Sequence, residues 1–261
     1  MKPAAFEHAR PANLADAIAL LIGEKGARVL AGGQSLGPML NLRLAQPRLL
    51  VQVDRIPELT GVAVDANAVT IGACVTHAAI ADGRVPDIGG NLLACVAESI
   101  AYRAVRNRGT IGGSLCHADP AADWLTVLSA LDAIVLLQGP DGPRSLRVSE
   151  FVQGAFRTAL LPGELLLAIR VPRLQAGSRW AYEKATRKPG DFADAMTAVL
   201  LSGDARRAVI GALGGRPLLL EGADVSLDAA TQALHAMDRL DQVQRHMHLA
   251  VLQRALGRAE T

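Results

Sequence analysis

Two glycine pairs constrain this chain more than any other feature. The first lies in AGGQSL, Ala31 to Leu36, directly after the apolar Val29-Leu30, and the second in TIGGS, Thr110 to Ser114. Having no Cβ, glycine takes positive φ and lets another backbone or a phosphate come close. Successive N–H groups in such a segment point into one concavity and bind an anion without a lysine. A single pair reads most simply as a tight turn, whereas two together suit the two phosphates of a dinucleotide. The better-known phosphate signatures are missing: there is no GxGxxG, and GGQSLGP has no lysine where a P-loop demands one. Ordinary Rossmann NAD binding and P-loop NTP hydrolysis therefore lose support.

Around these segments, helix, strand and turn alternate. Asn13 is placed to cap a helix whose Leu14, Ala17, Ile18, Leu21 and Ile22 follow helical spacing, with Gly23 or Gly26 to end it. RVLA is a short strand running into the first glycine pair, and LLVQVD at Leu49 to Asp54 is a second. IPELTGVAVDANAVTIGACVT reads as two short strands joined by the turn-forming DAN. Pro86 to Ile100 is expected to be helical, and Pro120 to start a helix over AADWLTVLSAL, followed by the strand AIVLLQ and the turn GPDGP. The α/β alternation is thus expected to run to about residue 172. Beyond Pro172, longer β-like runs (RWAYEKAT, AMTAVLLS, RRAVIGAL) precede helical stretches near Leu227 to Met237 and Gln242 to Arg258, a smaller α+β domain with its boundary at Val171 to Ser178. A chain of 261 residues, 50% hydrophobic, suffices for one large domain or two ordinary ones.

Several classes of function lose ground. Lys plus Arg total 27 against 25 Asp plus Glu, and the charges are scattered, so nucleic acid is not an expected partner. The N-terminal MKPAAFEHARPANLADAIALL lacks an uninterrupted apolar core, and no apolar run approaches the roughly 20 residues of a spanning helix, so membrane insertion and export are not expected. Cys74, Cys95 and Cys116 form neither a metal pair nor a disulfide framework and read as reduced thiols in a cytoplasmic protein. The six histidines form no HExxH, and no metal site is expected; no GxSxG occurs, and Ser35 has no recognisable base partner. In SLCHADPAAD, Asp119 and Asp123 read first as a helix cap or first-turn charge. The alternative is that a carboxylate just after the second glycine pair accepts hydrogen bonds from ligand hydroxyls.

Five stretches, AGGQSL at 31–36, IPEL at 56–59, RNRGTIGGSLCHADPAAD at 106–123, PGELLLAIRVP at 162–172 and YEKATRKPGDFA at 182–193, follow one another along nearly the whole chain. Together they resemble the flavin-binding medium subunit of the molybdenum hydroxylases, the carbon monoxide dehydrogenase and xanthine dehydrogenase family. The resemblance implies an α+β fold: an FAD-binding domain of the vanillyl-alcohol-oxidase (PCMH) type over 1–174, in two α/β subdomains of about 1–57 and 58–174, then a C-terminal domain over 175–261 of the CO dehydrogenase flavoprotein type. It places Ala31, Gly32, Gly33, Gln34, Ser35 and Leu36, with Thr110, Ile111, Gly112, Gly113 and Ser114, on the pyrophosphate through backbone amides. Asp123 falls on the ribityl hydroxyls with Asp119 as a second polar contact, and Leu167 against the flavin or adenine. Tyr182 and Lys184 come near the isoalloxazine, the ring to cover the flavin and the ammonium to stabilise its reduced form.

On this resemblance no side chain here is catalytic, and the flavin carries the redox step. A large subunit with a molybdopterin-type molybdenum cofactor hydroxylates the substrate, a small subunit with two [2Fe-2S] clusters relays electrons, and FAD passes them to an external acceptor. The assembly implied is a dimer of heterotrimers. The rivals are a stand-alone FAD oxidase or dehydrogenase of the same fold and a flavin-free binding or scaffold protein. Against the first, few residues remain for a substrate cap and aromatics are only 3%; against the second stand the intact glycine pairs.

Overall fold

Asn13 caps as its position predicts: in the computed structural model, which describes residues 2–261, its side chain accepts from the Asp16 amide at 2.9 Å and starts α1 (Leu14–Gly23). The strand before it is β1 (Glu7–Ala9), and β2 (Arg28–Leu30), α2 (Leu36–Asn41) and β3 (Leu49–Gln52) follow. β3 lies between β1 and β2, parallel to both. Its Leu49, Leu50 and Val51 are buried, as a parallel central strand requires.

The parallel pattern ends there, which corrects the expected α/β alternation to about residue 172. A helical turn α3 (Pro57–Thr60) leads into β4 (Val62–Val64) and β5 (Ala68–Gly72), and the chain leaves the sheet through α4 (His77–Ala81), α5 (Leu92–Glu98), α6 (Arg103–Arg106), α7 (Ile111–His117) and α8 (Asp123–Ala130). It returns in β6 (Ile134–Gly139) and β7 (Gly142–Arg147), crosses α9 (Val148–Phe151) and the short pair β8 (Val152–Gly154) and β9 (Arg157–Thr158), and closes with β10 (Leu165–Pro172). The five-stranded sheet, in the order β4-β5-β10-β6-β7, is antiparallel throughout. For β4-β5 and β6-β7 the reason is local, since DAN and GPDG form two-strand hairpins, which can only be antiparallel; β10 joins the two hairpins by long-range pairing with β5 and β6.

Two helices start later than their prolines suggest. After Pro86, Gly89, Gly90 and Asn91 all take left-handed φ, and the Asp87 carboxylate accepts from the Gly89 and Asn91 amides, so α5 starts only at Leu92. After Pro120, Asp119 holds the Ala121 amide with its carboxylate and the Ala122 amide with its carbonyl, so α8 begins at Asp123.

The last sheet is antiparallel, in the order β11 (Arg179–Ala185), β12 (Ala195–Ser202), β13 (Ala205–Gly211) and β14 (Leu218–Glu221). α8 packs against β12 and β13, and α11 (Gln242–Glu260), which follows α10 (Leu227–His235), packs against β11 and β12. All eight residues of α8 are buried, and the helix is apolar except for Asp123, which is paired, Ser129, whose hydroxyl donates to the Leu125 carbonyl, and Thr126, whose hydroxyl has no partner among the described residues. Its first turn therefore faces residues of the last sheet.

Candidate cofactor site

Gly32 and Gly33 need to be glycine for different reasons. Gly33 has φ 72°, the left-handed region, while Gly32 does not. A Cβ on Gly32 would instead fall 2.0 Å from the Arg108 carbonyl oxygen and 3.0 Å from Gly109 Cα. The first glycine segment thus rests directly on the backbone that leads into the second, across 76 residues of sequence (108 − 32). Beyond this contact the Gln34 amide group donates to the Gly32 carbonyl and the Gly37 N–H to the Gly33 carbonyl, which rounds the segment into α2. The backbone N–H groups of Gly32, Gly33, Gln34 and Ser35 have no acceptor among the described residues. Successive free donors at a glycine turn are the kind of backbone from which anion-binding concavities are made.

The second segment is built differently. Thr110 is the N-cap of α7, its Oγ1 accepting from the Gly113 amide at 3.0 Å, so Gly112 and Gly113 lie in a helical first turn with ordinary φ. The Ile111 amide donates to Val75 O, Gly112 to Ala73 O and Ser114 to Thr110 O. The amides of 111–114, expected to take part in the phosphate grip, each have an acceptor within the protein. What this segment leaves open is the Thr110 amide, the exposed backbone at Gly113 and the Ser114 hydroxyl. Glycine is required at 112 for packing, since a Cβ there would meet the Ala73 Cβ at 2.5 Å. Ala73 in turn donates to the carbonyl of Leu167, the half-buried residue at the irregularity in β10. Leu167 thus lies one hydrogen bond from the floor of α7.

Asp123, Tyr182 and Lys184 come together. Asp123, 7% exposed at the first residue of α8, accepts at Oδ1 from Tyr182 Oη (2.7 Å) and Lys184 Nζ (2.8 Å), with Ser99 Oγ at 3.4 Å. Lys184 Nζ also donates to the Ser99 carbonyl at 2.9 Å. The ammonium is thereby neutralised and fixed, as a half-buried cation must be. Burial first, and the Asp123 charge second, hold the Tyr182 hydroxyl well above its ordinary pKa, so it stays a donor. Asp123 Oδ2 has no partner among the described residues. Asp119 stands apart from this cluster, with its Oδ1 occupied by the Ala121 amide.

His77 joins the glycine seam, which no motif announced: its amide donates to Gly109 O, and its Nδ1 accepts from Trp124 Nε1 at 3.1 Å. Among the described residues no group of three His, Cys, Asp or Glu side chains is placed to hold a metal, the three cysteines are unpaired, and no helix is long and apolar enough to cross a membrane.

A family model described as the FAD binding domain in molybdopterin dehydrogenase matches residues 4–174. The chain belongs to this family. The match takes in both glycine segments, Asp119, Asp123 and Leu167, and stops short of Tyr182 and Lys184. Family relatives include the carbon monoxide dehydrogenase medium chain of Hydrogenophaga pseudoflava, 41% identical over 203 residues, 77% of this chain and 70% of that protein. Another is the 6-hydroxypseudooxynicotine dehydrogenase complex subunit alpha of Paenarthrobacter nicotinovorans, 36% identical over 258 residues, 93% of this chain and 87% of that protein. Among solved structures, carbon monoxide dehydrogenase from Hydrogenophaga pseudoflava superposes with a TM-score of 0.89 at 35% identity, covering 100% of this chain and 99% of that one.

Proposed function

We propose that this chain is the FAD-binding, electron-transferring subunit of a heteromeric molybdenum hydroxylase. It would work beside a large subunit with the molybdenum cofactor and a small subunit with two [2Fe-2S] clusters. The observation that carries the reading is the seating of Gly32 on Arg108 and Gly109, which joins the two glycine segments beside four free amides. That donor set fits a pyrophosphate: dense in N–H, neutral and concave. Relatives named as medium chains and complex subunits support the heteromeric setting.

When bound, FAD supplies a ring that accepts and releases electrons. The residues of this chain bind and orient it. Ala31 to Leu36 hold the pyrophosphate by amides, helped by Thr110 and Ser114. Asp123 takes ribityl hydroxyls on Oδ2, since Oδ1 is occupied, and Asp119 contributes as a second polar contact. Leu167 supplies an apolar surface. Tyr182 covers the ring, and Lys184 sets a fixed positive charge beside it, favouring the electron-rich reduced form. The same reading assigns the vanillyl-alcohol-oxidase (PCMH) arrangement to 1–174, divided near residue 57, the smaller domain to 175–261, and a cytoplasmic location; the end of the family match at 174 and the changes of sheet support that partition.

The purified chain should be yellow or become so on adding FAD, and native mass spectrometry should show one FAD per chain. A colourless chain that cannot be reconstituted would refute the reading, and a flavoprotein that oxidises an organic substrate unaided would favour the stand-alone rival.

A further inference from the structure

His77 lies at the place where the glycine segments meet. Its Cδ2–Nε2 edge is pressed against Gly109, where a Cβ would come within 2.9 Å of Cδ2 and 3.1 Å of Nε2. The same Gly109 carries Gly32 of the first segment, whose Cβ would fall 3.0 Å from its Cα. The ring is 6% exposed, and its orientation is set by Trp124. An indole N–H can only donate, so Nδ1 must be the bare nitrogen, and the proton of the neutral imidazole sits on Nε2. Burial, with the Arg106 charge adding to it, holds the imidazole neutral by lowering its pKa to about 4.

The Nε2–H has no acceptor among the described residues. Nor is it closed off: the sealed and unpartnered side-chain nitrogen and oxygen atoms among the described residues are Arg106 Nε, Thr126 Oγ1, Thr197 Oγ1 and His248 Nδ1. A donor so nearly buried, oriented by a second side chain and without a protein acceptor, yet open at its tip, can be met by water or by a ligand oxygen. Its neighbours in the first segment are four further amides in the same condition. Donors gathered without acceptors call for oxygen atoms bearing negative charge.

We propose that His77 is a cofactor-positioning residue, presenting its Nε2–H to a phosphate oxygen of FAD at the seam of the two glycine segments. The inference rests on the chain's being an FAD-binding subunit. It also gives α8 two roles, because consecutive residues at its start, Asp123 and Trp124, serve the ribityl chain and the imidazole.

Two substitutions separate this role from simple packing. His77→Asn keeps an acceptor within reach of the Trp124 indole but lacks the Nε2 donor, whereas His77→Gln restores a donor near Nε2 and gives up the indole contact. FAD titrated into the flavin-free full-length chain, followed by flavin fluorescence, should bind His77→Asn about tenfold more weakly and His77→Gln within about threefold of wild type, a tenfold loss being one hydrogen bond to a charged oxygen. The melting temperature of the flavin-free chain should rank the variants in the opposite order, because Trp124 is served by Asn and not by Gln. Wild-type affinity in His77→Asn, or affinity that follows melting temperature in both variants, would overturn the proposal. In the wild-type chain labelled with ¹⁵N-histidine, FAD should shift one Nε2–H resonance downfield and protect it from exchange. An unmoved, unprotected resonance in the FAD-bound chain would also overturn it. If the wild-type chain binds no FAD in the titration, the functional reading falls first.

Discussion

At the scale of single residues, the first glycine pair separates two uses of the same amino acid. Gly33 supplies a left-handed φ, while Gly32 supplies the absence of a Cβ against the Arg108 carbonyl. Gly32→Ala should push the two segments apart, lower stability by about 1–3 kcal/mol through overpacking and reduce flavin content per chain, read from the visible absorbance of purified protein; full flavin occupancy would contradict the assignment. Asp123→Asn strikes a different feature. It keeps an oxygen acceptor for Tyr182 and Lys184 but removes the negative charge, so the Lys184 ammonium is left buried without its counter-ion, and removing one charge of a buried pair costs on the order of 3 kcal/mol. Denaturant unfolding should show that loss in the flavin-free chain, with weaker FAD binding on top.

At the scale of elements, α7 and α8 decide what the site offers. The amides of α7 are committed to Val75 O, Ala73 O and the Thr110 cap, so Gly112 serves helix packing, and the donors left free are those of the first segment. Gly112→Ala, whose Cβ would meet Ala73 at 2.5 Å, should therefore lift α7 from the end of β5. The expected result is a melting temperature lowered by several degrees in the flavin-free chain, since about 1 kcal/mol in a chain of this length shifts the midpoint by roughly 2–4 °C. An unchanged midpoint with lost flavin would instead assign Gly112 to the cofactor directly. A helix as fully buried as α8 can carry a carboxylate at its start only because Tyr182 and Lys184 reach it from β11, so the last sheet completes the site.

At the scale of the whole molecule, two buried histidines set a pH dependence. His77 and His248 are each lowered from 6.5 to about 4 by burial, chiefly, so both fold as neutral rings. The unfolded chain binds protons at these positions below pH 6.5 that the folded chain refuses. Their contribution is fully present above that pH and declines as pH falls from 6.5 toward 4, at up to about 1.4 kcal/mol per pH unit for each histidine. Unfolding at pH 7 and pH 5 should show the chain less stable at the lower value, and His248→Gln should remove part of that difference. Equal stability at both values would mean that the rings are more open than their burial indicates.

What the sequence determined by itself was whatever near neighbours encode. Asn13 capping α1, the DAN and GPDG hairpins, the strands after Pro172 and the helices near Leu227 and Gln242 all follow from caps, turns and periodicity within a few residues. The site residues were named through a family resemblance, and their grouping was not legible. Tyr182 and Lys184 meet Asp123 across 59 and 61 positions, and Gly32 meets Arg108 through a contact of backbones. Only the tertiary structure decided which amides remain free. Whether a glycine N–H is open to a phosphate depends on whether a distant carbonyl has already taken it: the Ala73 and Val75 carbonyls occupy the second segment, and none among the described residues reaches the first. The same rule uncovered His77, an undistinguished histidine in the sequence whose tautomer and remaining donor are fixed by an indole 47 positions away.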